Sequence, residues 1–175
     1  MTTLTRITNP QSDGYRFTEK LLTETFPIDE YRDLAEQRNN VACKKNFHLM
    51  LACHKGEPVG FVSFWDLGGF CYVEHLATLP ALRGKGHGKR IIEQLQENAH
   101  KLVLEVEEPC DELSARRIGF YRRVGFELCN TPYTQPSYRE GGNTVPMLLM
   151  FYGWAADTAN YETAKQAIYK NIYNL

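Results

Sequence analysis

The sequence predicts a single domain of the α/β class (α+β type), built on a mixed sheet of about six to seven strands with crossover helices. Three observations carry that prediction. The 175 residues suit one domain, and with 43% of them hydrophobic and 12% aromatic they can build a core. Residues 47–78 hold three apolar runs separated by short turn segments, the pattern of an antiparallel meander. Residues 15–38 and the segment after Gly88 instead carry apolar side chains at helical spacing, in the latter case alternating with short β runs.

Each element follows from local pattern. In 15–38, Phe17 and Leu21 lie four apart, and Ile28, Tyr31 and Leu34 recur every third residue, so two helices are expected with Pro27-Ile28-Asp29 separating them. Phe47–His54 and Val59–Trp65 are strands joined by the turn Lys55-Gly-Glu-Pro58, and Asp66-Leu-Gly-Gly69 turns into a third strand, Phe70–Thr78. Ile91, Ile92, Leu95 and Ala99 mark one face of a helix whose other face carries Glu93, Gln96 and Glu97. Leu102–Val106 is a buried strand, and Leu113, Phe120 and Val124 outline a helix ending at Gly125. Phe126–Cys129 and Met147–Tyr152 are two further short strands. Residues 155–175, with Ala164, Ile168 and Ile172 four apart, form a C-terminal helix whose apolar face packs on the domain or on a second subunit.

Charge and cysteine usage narrow the function classes. Lys+Arg number 20 and Asp+Glu 21, a net of −1 with a pI near 6.5, which does not advertise nucleic acid or an anionic membrane as a partner. The five cysteines, Cys43, Cys53, Cys71, Cys110 and Cys129, contain no CxxC pair, so neither zinc nor a disulfide framework is expected, and no metal is assigned. No signal peptide or membrane helix is apparent, and the expected location is the cytoplasm. The balance is nevertheless local: residues 83–90 carry four Lys/Arg and no acid, while 105–112 carry five acids.

The basic segment is also rich in glycine. Arg83-Gly-Lys-Gly-His-Gly88 follows an expected strand and opens an expected helix, where unpaired amides in a positive field suit phosphate. It is not a P-loop, because Gly84 and Gly88 enclose only three residues, nor a dinucleotide fingerprint, because position 89 is lysine. It does match the pattern Arg/Gln-x-x-Gly-x-Gly/Ala. About 35 residues later, Arg116-Arg-Ile-Gly-Phe-Tyr-Arg-Arg-Val-Gly-Phe126 matches F/L-Y-x-x-x-G-F. On these two motifs, and on an element order that includes an N-terminal strand, the chain resembles the Gcn5-related N-acetyltransferase (GNAT) superfamily over residues 3–152.

The resemblance implies an acyl-CoA N-acyltransferase-like fold, with a mostly antiparallel central sheet and helices on both faces. It divides the chain into an acetyltransferase domain, 1–152, and a helical extension, 153–175. It further implies acetyl-CoA as co-substrate, its pyrophosphate on the amides of Arg83, Gly84, Lys85, Gly86, His87, Gly88 and Lys89. The pantetheine arm would pair with the backbone of Leu76, Ala77 and Thr78. Tyr121 matches the tyrosine that in many members protonates or hydrogen-bonds the departing sulfur, and so belongs to both the catalytic and the cofactor-binding set. One departure is Ser114, which stands where some relatives have a CoA-contacting asparagine; it could substitute or simply cap the helix.

Acetyl transfer to an amine needs a neutral nitrogen, because an alkylammonium with a lysine-like pKa of about 10.4 has no free lone pair near pH 7. Glu74 and His75 interrupt an apolar strand, and period-two alternation places Tyr72, Glu74 and Leu76 on one face and Val73, His75 and Ala77 on the other. Glu74 is the first candidate base and Glu105, on the next strand, its rival; a salt bridge to a neighbouring arginine is the alternative role for either. The 17-residue segment 130–146 is expected to be a functional loop, offering Tyr133, Gln135, Tyr138 and Arg139 to the acceptor. Tyr72, Phe26 and Tyr31 complete the expected acceptor pocket. The expected function is transfer of acetyl from acetyl-CoA to a primary amine of a small molecule or peptide by direct attack, with a homodimer possible. A CoA-sensing or catalytically degenerate module is the alternative, and a phosphate- or RNA-binding domain lacks an aromatic-basic face.

Overall fold

A computed structural model describes residues 2–175. Seven strands form one sheet in the order β1-β2-β3-β4-β5-β7-β6, where β1 is Thr2–Ile7, β2 Phe47–His54, β3 Glu57–Asp66, β4 Cys71–Thr78, β5 Leu102–Glu107, β6 Glu127–Gln135 and β7 Val145–Tyr152. Every neighbouring pair is antiparallel except β4 and β5, which are parallel and joined by the crossover helix α3, His87–Asn98. The helices α1, Asp13–Thr25, α2, Leu34–Cys43, and α5, Thr158–Ile172, supply Leu21, Val41 and Ile168 to a core on one face of the sheet. Helices α3 and α4, Glu112–Arg123, supply Ile91, Ile92 and Ile118 to a second core on the other face. No helix among the described residues is long and apolar enough to cross a membrane.

Local chemistry sets the helix ends. Ser12 accepts the Tyr15 amide at the start of α1, and the chain leaves that helix at Phe26, ahead of Pro27. Asp111 and Ser114 form a reciprocal capping box at the start of α4, so the serine in the cofactor-contact position caps the helix. In α5, Ala164, Ile168 and Ile172 are buried against the first core, and the hydroxyls of Tyr161 and Tyr169 donate to the carbonyls of Pro132 and Thr134 on the edge strand β6.

Three local expectations change. Ile28, Tyr31 and Leu34 do not share one helix: Ile28 opens a 3-10 turn, Ile28–Glu30, Tyr31 is extended, and Leu34 starts α2. The segment 130–146 is not a loop throughout: β6 continues to Gln135, passing Pro132 through an irregularity between Cys129 and Tyr133, and the loop is 136–144. An edge strand tolerates proline at such a bulge because no partner needs its amide. On β4 the alternation breaks, because the register against β3 jumps from Ser63↔His75 to Phe64↔Val73 and leaves Glu74 as the extra residue of a bulge. Tyr72 and Ala77 therefore lie in one core, while Val73 and Leu76 belong to the other.

Strands β3 and β4 approach closely at Gly60, where a Cβ would stand 2.3 Å from the carbonyl oxygen of Ala77 and 3.0 Å from Thr78 Cα. Backbone, not a flexible side chain, would have to move. Gly60→Ala is expected to lower the unfolding free energy by about 2–3 kcal/mol in urea titrations, the range typical of overpacked sites.

Candidate active site

The site begins where β4 and β5 part. They pair only through Cys71↔Leu102, Tyr72↔Val103 and Val73↔Leu104. Beyond that point β4 keeps β3 on one side, through Val62↔Leu76, Phe61↔Ala77 and Gly60↔Thr78, but has no strand on the other. Leu76, Ala77 and Thr78 thus offer backbone groups to a gap that an extended ligand can fill.

At the mouth of the gap lies the basic loop. Gly84 and Gly86 adopt φ of +77° and +80°, which favours glycine at both positions. No side chain caps α3 and no acid sits in its first turn, so the amides of His87, Gly88 and Lys89 remain available to an anion. Arg83, Lys85 and Lys89 are exposed around them, and Arg90 folds back onto the Lys85 carbonyl at 3.3 Å. Beneath the loop, His87 is buried and its Nδ1 has no hydrogen-bond partner. These residues fit a diphosphate. No group of acids, cysteines and histidines that could hold a metal occurs among the described residues.

Tyr121 lies on α4 beside Phe120, whose ring stands 3.4 Å from where a Cβ on Gly88 would be; Phe120 and Phe126 meet the Tyr121 ring edge-on at 5.0 Å and 5.6 Å. Burial pushes its phenol up to about 12, so the hydroxyl keeps its proton at neutral pH.

Glu74 is fully engaged. Its buried carboxylate accepts from Arg32 Nη1 at 3.0 Å and from Nη2, from Trp65 Nε1 at 3.1 Å and from Tyr138 Oη at 3.0 Å. Arg32, also buried, gives a further bond to Gln37 Oε1 at 2.7 Å and lies 5.2–5.7 Å from the ring centroids of Phe47, Trp65 and Tyr138. Burial by itself would raise the Glu74 carboxyl, yet the Arg32 guanidinium holds it below the usual carboxylate range. Glu105 is different: Tyr133 donates to it at 2.6 Å and Tyr173 at 3.5 Å, with no cation facing it, and burial pushes it up to about 7.

The remaining expected acceptor residues divide. Tyr72, Tyr133 and Gln135 are buried, whereas Phe26, Tyr31, Tyr138 and Arg139 are half-buried. Phe26 meets the His75 ring edge-on at 4.8 Å, and Arg139 lies 5.3 Å from the Tyr31 ring centroid. Several of these residues hold the 3-10 turn. Four consecutive carbonyls receive side-chain donors: Ile28 from Arg139, Asp29 from Gln135 at 3.0 Å, Glu30 from His75 Nε2 at 2.8 Å and Tyr31 from Arg139 at 2.7 Å. Burial pushes His75 below the ordinary imidazole value, so its neutral ring donates through Nε2 and accepts from Ser63 at Nδ1. The turn presents Glu30 to Glu107, at the end of β5, whose other partner is Arg117 on α4 at 3.3 Å. Burial pushes Glu30 up to about 7, assisted by Glu107 and opposed by Arg117. Glu30 and Arg32 escaped the sequence reading; the signal was their charge-rich run, Asp29-Glu-Tyr-Arg-Asp33, directly after a helix-breaking proline.

The sequence matches the model of the Acetyltransferase (GNAT) family over residues 13–126. A solved structure of a GNAT-family protein from Bacteroides thetaiotaomicron is 41% identical, covers 99% of each chain and superposes with a TM-score of 0.93. YjbC of Bacillus subtilis, which bears an acetyltransferase name, is 28% identical over 160 residues, 87% of this chain and 79% of its own. A GNAT-family acetyltransferase from Elizabethkingia anophelis, solved with acetyl-CoA bound, shares the fold at 16% identity and a TM-score of 0.58, over 86% of this chain and 97% of its own. The chain belongs to the GNAT family and is an acyltransferase.

The two strand carboxyls give opposite pH signatures. Glu74→Gln leaves Arg32 buried without its counter-ion and is expected to cost about 3–5 kcal/mol at pH 7. Because the folded pKa of Glu74 is depressed, its stabilisation is lost as pH falls, so the gap between variant and wild type narrows in acid. The folded pKa of Glu105 is raised, so its stabilisation is present below the ordinary carboxyl range and lost as pH rises through about 7. Glu105→Gln should gain on wild type by about 2 kcal/mol between pH 5 and 8, a figure discounted for partial exposure of the residue. Urea unfolding across pH 4–8 measures both.

Proposed function

We propose that this acyltransferase moves an acetyl group from acetyl-CoA to a primary amine of a small molecule or peptide, by direct attack within a ternary complex. The observation that carries the reading is the meeting, at one end of β4, of a strand edge without a partner and an uncapped, basic helix start. The acetyl-CoA bound in the Elizabethkingia anophelis relative supports the choice of donor.

Bound acetyl-CoA supplies an acetyl group activated as a thioester. The amides of His87, Gly88 and Lys89, with Arg83 and Lys85, hold its diphosphate. The backbone of Leu76, Ala77 and Thr78 pairs with the amide-rich arm in the place a strand would take. Tyr121 donates its phenolic proton to the departing sulfur, a role that suits a hydroxyl still protonated at pH 7. Phe26, Tyr31, Tyr138 and Arg139 shape the acceptor wall, while Tyr133 and Gln135 brace it from behind. A site carboxylate relieves the amine of its proton. Glu74, already paired with Arg32, fits a positioning role better than a proton-accepting one, and Glu105 retains the basicity for it.

Calorimetry with CoA, followed by thiol release from acetyl-CoA across amines, polyamines, amino acids and peptide N-termini, tests the reading. Binding with turnover supports it. Failure to bind CoA overturns it, and binding without release on any acceptor favours a sensing module. Tyr121→Phe should lower kcat by about 10²-fold or more while CoA affinity stays within twofold, in line with the usual weight of a general acid. Lost affinity with unchanged turnover would reject the acid role.

A further inference from the structure

We propose that Tyr173, which closes α5 at its C-terminal end, is a positioning residue of the acetyl-transfer site: together with Tyr133 it holds the carboxylate of Glu105 at the place where β4 and β5 part. The inference rests on the acetyl-transfer reading above, with Glu105 as the proton acceptor, and it brings the helical extension into the chemistry.

The first argument is where Glu105 lies. The β4–β5 ladder ends at Val73↔Leu104, and Glu105 is the next residue of β5, still paired through Leu149 to β7. Its backbone is thus held on one side and faces the split on the other, and its side chain is half-buried. Tyr133 Oη donates to Oε1 at 2.6 Å from β6, and Tyr173 Oη stands 3.5 Å from the same oxygen. Two hydroxyls from two elements converge on one carboxylate oxygen.

The second argument is that these contacts bridge the split. Tyr138 Oη donates to Glu74 at 3.0 Å, and the Tyr138 ring lies 5.0 Å from that of Tyr173, centroid to centroid. Glu74, Tyr138, Tyr173 and Glu105 therefore form one chain of contacts from β4 to β5. The helix that carries Tyr173 is firmly seated. Tyr161 and Tyr169 donate to the carbonyls of Pro132 at 2.8 Å and Thr134 at 2.5 Å, and Ala164, Ile168 and Ile172 are buried in the core beneath. A group delivered from an anchored helix end keeps its geometry better than one on a loop.

The third argument is chemical. The groups that face Glu105 are Tyr72 and Glu74 from β4, Tyr133 from β6, Tyr138 from the 136–144 loop, and Tyr169 and Tyr173 from α5 and its end. None is a cation, and Arg32 is committed to Glu74. Burial pushes the Glu105 carboxyl up to about 7, and the tyrosine hydroxyls oppose that rise because they donate to the ionised form. Deleting a donor therefore moves the carboxyl further up. Less carboxylate is then present at neutral pH to take a proton from the acceptor ammonium.

The test compares wild type, Tyr173→Phe, Tyr133→Phe and Glu105→Gln from pH 5.5 to 9, using the amine that gives the fastest wild-type thiol release. Phenylalanine keeps each ring and deletes only the hydroxyl. The acid limb of kcat/KM, near pH 7 in wild type, should move up by about half a pH unit in Tyr173→Phe and by about one unit in Tyr133→Phe, the order expected for losing a longer and a shorter hydrogen bond to a charged group. Below pH 7 these shifts read as deficits of about threefold and tenfold, and both should close by pH 9. CoA affinity should stay within twofold and the melting temperature of Tyr173→Phe should not change. Glu105→Gln should lose the limb altogether. An unshifted limb in Tyr173→Phe overturns the proposal, and so does a deficit that is equal at every pH, which marks a merely structural tyrosine. If Glu105→Gln keeps the wild-type limb, Glu105 is not the proton acceptor and the role of Tyr173 falls with it. If wild type releases no thiol with any amine, the acetyl-transfer reading itself falls; normal turnover with an unshifted Tyr173→Phe overturns the Tyr173 assignment alone.

Discussion

Strands β4 and β5 hold each other for three residues and then separate, and the organisation of the site depends on that separation. A parallel ladder is the weakest kind of pairing per residue, so interrupting it is less costly than opening an antiparallel one. The interruption coincides with the bulge at Glu74, which adds a residue to β4, an irregularity of the kind that increases a strand's twist. The strand edge left behind has backbone donors and acceptors that require partners. A ligand with amides of its own can supply them, and the diphosphate at the other end of such a ligand meets the uncapped start of α3. The slot and the basic loop thus share one end of β4.

Glu74 shares the face of Tyr72 and lies in the protein interior, where an unpaired carboxylate would be very unfavourable. Arg32 offsets that penalty. Its planar guanidinium matches the carboxylate with two bonds and lies among three aromatic rings, a setting a lysine ammonium could not satisfy in the same way. The pairing has a consequence well beyond Glu74. Arg32 follows the 3-10 turn directly, and Tyr138 ties the 136–144 loop to the same carboxylate. A buried ion pair of this kind is poor evidence of added stability, but it fixes which segments meet. Here it joins the segment after the 3-10 turn to the 136–144 loop, the two walls of the proposed acceptor site.

Much of this was legible in the sequence, and the parts that were not share a physical origin. The meander, α3 and α5 follow from hydrophobic periods that local burial enforces: Ile91, Ile92, Ala164 and Ile168 are all inaccessible to solvent. The glycine loop was legible because left-handed backbone demands a residue type, at Gly84 and Gly86 alike. The bulge was not, because period-two alternation presumes an unbroken ladder and nothing between Tyr72 and Thr78 announces the extra residue. Arg32 was missed for a related reason. Its partner lies 42 residues away, and only the folded sheet brings the two together. Gln135 and Arg139 were expected to face an acceptor; that their donors hold the backbone of the turn is set by tertiary geometry that composition cannot express. Pro132 misled because it looks like a loop residue, although an edge strand can accommodate it.

Three carboxyls, those of Glu74, Glu105 and Glu30, have environments that drive them apart. Glu74 meets a guanidinium and stays ionised. Glu105 meets only tyrosine hydroxyls, which can hydrogen-bond a carboxylate but carry no charge to balance it, so burial dominates. Glu30 meets another carboxyl and, at longer range, an arginine. Separation of pKa values by environment is how a fold assigns different work to identical groups. An ionised, immobilised carboxylate is suited to holding structure. One near neutrality and open to solvent can exchange protons during turnover, and one near neutrality but enclosed by tyrosines must move its proton through them. The near-zero net charge of the chain conceals this division, because it sums a basic loop that suits a polyanion with an acidic stretch, 105–112, whose Glu107 pairs with Arg117.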